Sequence, residues 1–142
     1  MTYTLITDNQ TLADFCATDA TLLALDTEFV RTRTFYAKPG LYQLFDGRNT
    51  VLVDPVAVSD LSPLWRLLHD PARLCVLHAG GEDLELFQHQ SGALPARVHD
   101  TQLAAAFLGY GTQLGFAPLV EKLLGVSLDK AHARTDWLAR PL

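Results

Sequence analysis

The segment Thr21-Leu-Leu-Ala-Leu-Asp-Thr-Glu-Phe29 constrains the chain more than any other. It is a compact apolar run bounded by polar turn residues, the signature of a strand buried in the middle of a sheet. Two acids, Asp26 and Glu28, sit near its end. Alternation along a strand sends both side chains to one face, with backbone positions roughly 6.5 Å apart. Carboxylates facing the same way in an apolar segment repel each other and lose hydration. A divalent cation between them removes that penalty, and their oxygens suit Mg²⁺ or Mn²⁺. The same spacing also fits a strand whose outer end is solvated, with both acids facing water.

The rest of the chain supplies partners for such a strand. Asp8 caps a short helix through Cys16. A basic and aromatic stretch, Val30 to Lys38, is closed by Pro39-Gly40. Leu41–Phe45 and Thr50–Val53 read as a hairpin, with Gly47 in the intervening Asp-Gly pair supplying a positive φ. Ser59 or Asp60 caps a helix through Leu68, with Pro63 in its first turn. Leu74–Leu77 is a second buried strand, and a helix after Gly80-Gly81 runs to Gly92. Asp100 caps a helix to Leu108, and another lies between Gly115 and Leu124, closed by Gly125. Strands alternating with helices after an early hairpin predict one α/β layered domain with a mixed sheet.

Asp83 falls in the first turn of the helix after Leu74–Leu77. A carboxylate there stabilises the helix dipole, which is reason enough for its presence. In open α/β sheets, however, strand ends and the helices that follow them are where sites gather. If the two buried strands are neighbours, Asp83 reaches Asp26 and Glu28, and three converging acids without basic partners suit a two-metal centre.

The formal net charge of −5 counts mildly against a passive nucleic-acid binder, whose phosphate contacts come from a basic surface. It says little against a metal-dependent nuclease, because bound cations invert the local charge. Cys16 and Cys75 lack metal-ligand spacing and read as buried free thiols of a cytoplasmic protein. No apolar run approaches the ~20 residues that span a bilayer.

Four ordered segments carry a specific resemblance. They are residues 26–36 (DTEFVRTRTFY), 77–87 (LHAGGEDLELF), 100–108 (DTQLAAAFL) and 128–142 (LDKAHARTDWLARPL). In order and spacing the chain resembles the ribonuclease D family of DEDD-superfamily 3′-5′ exonucleases. The resemblance implies a ribonuclease-H-like three-layer α/β domain, a mixed central sheet flanked by helices. It implies hydrolysis of single-stranded RNA 3′ ends, tRNA precursors among them. It also implies two divalent cations, Mg²⁺ or Mn²⁺, held by the catalytic acids Asp26, Glu28, Asp83 and a fourth Asp. That Asp and a water-positioning Tyr belong to a Tyr-x-x-x-Asp segment after the Arg-Pro-Leu string. Residues 1–142 therefore read as a partial exonuclease domain, its C-terminal helix missing and its own activity small. Pro141 reads as the first residue of that helix.

Several other side chains are candidates for substrate contact. Thr27 and Phe29 lie on the acid-bearing strand, and Arg31, Arg33, Phe35, Tyr36 and Lys38 follow it. Cations mixed with rings suit a single strand, phosphates on guanidinium groups and bases on aromatics, although the rings equally suit the core. His78 reads as a substrate contact, a ligand or proton carrier, or a hydrogen-bonded structural histidine. Glu82 and Glu85 read as solvated, and Gln43 as meeting backbone. Lys130, Arg134 and Arg140 either hold phosphates or cover an apolar face. A competing reading is a non-catalytic nucleic-acid-binding or interaction protein that keeps the fold. Apolar surface left by a missing helix would favour self-association.

Overall fold

The computed structural model describes residues 2–32, 35–129 and 135–142. Arg33, Lys130 and Arg134 lie outside the described residues. Among the described residues the elements follow in the order β1 (Thr4–Ile6), α1 (Asn9–Cys16), β2 (Leu22–Val30), β3 (Lys38–Phe45), β4 (Thr50–Val53), α2 (Ser62–His69), β5 (Leu74–Leu77), α3 (Gly81–Ser91), β6 (Val98–Asp100), α4 (Thr101–Phe107) and α5 (Phe116–Leu124). The strands form one sheet in the order β1-β4-β3-β2-β5-β6. β2, β3 and β4 pair antiparallel, whereas β1 joins β4, β5 joins β2 and β6 joins β5 in parallel. The apolar run read as a central strand is central, between β3 and β5.

Alternation assigns the two faces of β2. Leu23 and Leu25 point into the main core with Tyr42 and Leu44 of β3 and Cys75 and Leu77 of β5. Leu12 of α1, Leu64, Leu67 and Leu68 of α2, and Leu86 and Phe87 of α3 cover that face. Each fully buried leucine contributes about 1.5–3 kcal/mol, so this face dominates cohesion. The opposite face opens on a cavity of about 500 Å³, whose lining includes Ala24, Asp26, Gln43, Val76, His78 and Phe116. Phe107, Leu108 and Leu124 are strongly exposed. No helix among the described residues is long and apolar enough to cross a membrane.

Caps and turns follow local chemistry at most junctions. The Asp8 carboxylate accepts the Thr11 N–H at 2.8 Å, and Gly92 and Gly125 close α3 and α5 in left-handed conformations. Gly47 takes φ +94° in the β3–β4 turn. Two expectations need correction. First, α2 starts at Ser62, with neither Ser59 nor Asp60 at its cap position. Ser59 accepts from Asn9, and Asp60 accepts the Ser62 N–H, while Asp54 holds the preceding turn through the Val56 and Ala57 N–H groups. Second, Pro39-Gly40 lies within β3 rather than closing a loop. The register shifts there, with Glu28 opposite Leu41 but Phe29 opposite Pro39, leaving Gly40 as the extra residue of a bulge. Pro141 and Leu142 carry no regular structure.

Candidate metal-binding active site

The site is built at the end of β2 where it meets the start of α3. Asp26 and Glu28 share the face opposite the core, as alternation requires, and Asp26 is solvent-accessible. Thr27, between them, points the other way and is 5% exposed. Asp83 enters from the core side in the first turn of α3 and is 8% exposed. The Thr27 hydroxyl donates to Asp83 Oδ1.

The three carboxyls sense one another. Burial, with the charge of Asp83, raises the pKa of Asp26 above the usual carboxylate range. Glu28 is pushed up to about 7 by burial and by the charges of Asp26 and Asp83. Burial also raises Asp83, against the hydrogen bond from Thr27. None of the three pairs with a Lys or Arg among the described residues. Their side chains nevertheless do not converge into a group of three spaced to hold an ion. The coupling among them is electrostatic rather than a closed cage.

The surrounding candidates divide sharply. Phe29 packs against the core. Arg31 donates to the Phe35 carbonyl at 2.9 Å and lies 3.6 Å from Glu85, which is therefore paired rather than merely solvated. Tyr36 stacks on His89 at 3.8 Å, and the Phe35 ring, edge-on to Tyr36, remains 82% exposed. Both ring nitrogens of His78 are engaged, Nδ1 with Thr101 Oγ1 and Nε2 with the Leu114 carbonyl, each at 2.8 Å. Its hydrogen-bonding capacity is used in tying β5 to α4 and to the approach to α5. Gln43 stands opposite Asp26 and lines the open cavity, with no side-chain hydrogen bond to backbone among the described residues.

Two structural acids carry more than local sequence reveals. Asp100 caps α4 through the Gln102 and Leu103 N–H groups and also accepts from Ala79 and Gly80 at 3.1 and 2.9 Å. It thereby holds Ala79 at φ +53°, an unusual conformation for a non-glycine residue, in the turn that launches α3. Burial opposes its ionisation, but these four backbone donors keep its pKa below the usual value. Asp54, 4% exposed, accepts Arg140 Nε and Nη2 at 2.8 and 2.7 Å. Arg140 also donates to the Gly40, Trp137 and Ala139 carbonyls, so it covers the fold rather than presenting itself to phosphate. Asp54 has no local motif, since its partner is 86 residues away.

With this geometry in place, a family model described as 3′-5′ exonuclease matches residues 3–142. The chain belongs to the 3′-5′ exonuclease family. It is 51% identical to ribonuclease D of Escherichia coli over 144 residues, covering 100% of this chain and 38% of that protein. Ribonuclease D of Cronobacter turicensis is 52% identical, covering 97% of this chain and 38% of the relative. The crystal structure of the E. coli enzyme, an exoribonuclease involved in structured RNA processing, superimposes with a TM-score of 0.96 over 100% of this chain and 38% of that one. Brucella melitensis NrnC with bound Mg²⁺ shares the fold at a TM-score of 0.82 and 23% identity, covering 100% of this chain and 69% of that one. The expected ribonuclease-H-like α/β architecture is therefore present. The exonuclease chain spans a little over a third of the length of its ribonuclease D relatives.

Proposed function

We propose that this chain carries most of the metal centre of a 3′-5′ exoribonuclease acting on single-stranded RNA 3′ ends, including tRNA precursors. The observation that carries the reading is the trio Asp26, Glu28 and Asp83, adjoining at the end of β2 and the start of α3, with raised pKa values and no Lys or Arg partner among the described residues. A structural ion pair would lower these values; a site awaiting a cation raises them. Oxygen-only donors suit Mg²⁺ or Mn²⁺. When bound, such ions supply an activated water and take charge from the leaving 3′-oxygen.

The chain's own residues set up that chemistry. Asp26 and Glu28 present ligands on the open face, and Asp83 adds a third from α3. Arg31 and the exposed Phe35 ring follow the same strand and suit a phosphate and a stacked base. The fourth carboxylate that the family resemblance implies is not among the 142 residues.

Mn²⁺ binding measured by calorimetry, together with hydrolysis of labelled single-stranded RNA, tests the reading. Binding is expected in the parent and at least tenfold weaker in Asp26→Asn. RNA turnover by the 142 residues alone should fall far below that of an intact ribonuclease D. Undiminished binding in Asp26→Asn would overturn the assignment.

A further inference from the structure

Thr27 interrupts the two acids of β2, and its side chain lies on the opposite face. It is buried, and it stands opposite Tyr42 in the β2–β3 register. The Tyr42 ring stacks on Phe87, with centroids 5.8 Å apart. Phe87 lies one helical turn beyond Asp83. Sheet and helix therefore meet at two levels. The lower contact, Tyr42 on Phe87, fixes where α3 sits. The upper contact is the hydroxyl of Thr27 donated to Asp83 Oδ1. No other side chain among the described residues donates to Asp83, and from outside its own helix this hydroxyl is joined by the backbone N–H of the same residue, so Thr27 orients that carboxylate.

We propose that Thr27 is a positioning residue, whose hydroxyl fixes the Asp83 carboxylate so that its second oxygen faces the cation site formed with Asp26 and Glu28. The inference rests on the metal-centre reading above. A neutral donor suits the task, because a Lys or Arg on Asp83 would compete with the cation for its charge. A β-branched residue on a strand adds stiffness at χ1, so the donor itself does not wander. Hydrogen bonds to ligating carboxylates act in this way generally, and removing one weakens metal binding 10- to 100-fold. Thr27 thus links the buried and open faces of β2 at one residue. Its side chain is engaged there rather than at substrate.

The test is a Mn²⁺ titration of the metal-free 142-residue chain, read by the electron paramagnetic resonance signal of free Mn²⁺. Thr27→Val, Thr27→Ala, Thr27→Ser, Asp83→Asn and Asp26→Asn are compared with the parent, and circular dichroism checks folding. Asp83→Asn should weaken or abolish one binding event. Val, nearly isosteric with Thr, should weaken the same event 10- to 100-fold, and Ser should restore it to within about threefold. If Val does not fold, Ala supplies the hydroxyl-free variant. Parent-like binding in a folded Val or Ala variant, with binding reduced in Asp83→Asn, overturns the role of Thr27 and leaves the metal centre standing. A folded Ser variant that loses the event also overturns it. Uptake unaffected by either Asn variant overturns the metal centre itself.

Discussion

At the residue scale, Glu28 exposes the cost of burying a carboxyl beside two others. Its pKa is about 7 in the fold against an ordinary 4.5, so the folded chain holds a proton that the unfolded chain releases. A raised acid of this kind contributes stability that is fully present below about pH 4.5 and lost as the pH rises through 7. Asp26 and Asp83 are shifted in the same direction. Glu28→Gln removes the ionisation while keeping the shape. The metal-free variant should gain on the order of 1–3 kcal/mol over the parent at pH 8, and little at pH 4. Urea unfolding at the two pH values measures this difference, and an equal effect at both would contradict the assigned shift. His78 teaches the complementary lesson. Its placement near Asp83 in sequence invites a catalytic role, but its two ring nitrogens are used in holding α4 and the approach to α5.

At the scale of elements, the start of α3 depends on an acid at the junction of β6 and α4. Asp100 serves α4 as an ordinary cap, and the same carboxylate holds the Ala79-Gly80 turn from which Asp83 projects. Asp100→Ala should cost about 2–3 kcal/mol, from the lost cap and the released turn. Because the pKa of Asp100 is lowered, its contribution is present above the ordinary carboxylate value and lost as the pH falls through the folded one. Hydrogen exchange at Ala79 and Gly80 should accelerate together with exchange at Gln102 and Leu103. Protection lost only at the α4 pair would show that the turn is held by something else. Edge elements behave differently. β1 and β6 are three residues each, too short to display an alternation, and exist through parallel pairing with β4 and β5.

At the scale of the whole molecule, Arg140 and Asp54 hold residues 137–140 against the β3 bulge. Gly40 has no room for a side chain, since a Cβ there would lie 2.5 Å from the Trp137 Cβ. Asp54 is almost fully buried and takes its charge compensation from Arg140. Arg140→Ala leaves that carboxylate unpaired and should cost about 3 kcal/mol. Arg140→Lys should recover only part of this, because an ammonium cannot reproduce the forked contact with both oxygens. Thermal unfolding with tryptophan emission follows both effects, and a stability unchanged in Arg140→Ala would count against the clamp. These contacts lie close to the register position of Glu28, so the segment braces the sheet beside the candidate site.

Local patterns carried a large share of the result. The buried run of β2, the Asp-Gly hairpin, the caps at Asp8 and Asp100 and the terminating glycines all follow from forces acting within a few residues, and these are written in short stretches of sequence. Asp26 and Glu28 stand out for the same reason, as charges out of place in an apolar run, whereas the dipole of α3 accounts for Asp83 locally and only its neighbours in space single it out. Other features had no local signature. Pro39-Gly40 looked like a turn and became a bulge because Trp137, nearly a hundred residues later, occupies the space above it. Thr27 looked like a substrate contact, but its hydroxyl is taken by a carboxylate that only the neighbouring β2–β5 pairing brings within reach. Periodicity assigns a side chain to a face; the partner it meets there depends on chain segments distant in sequence, whose arrangement is set by burying the common core.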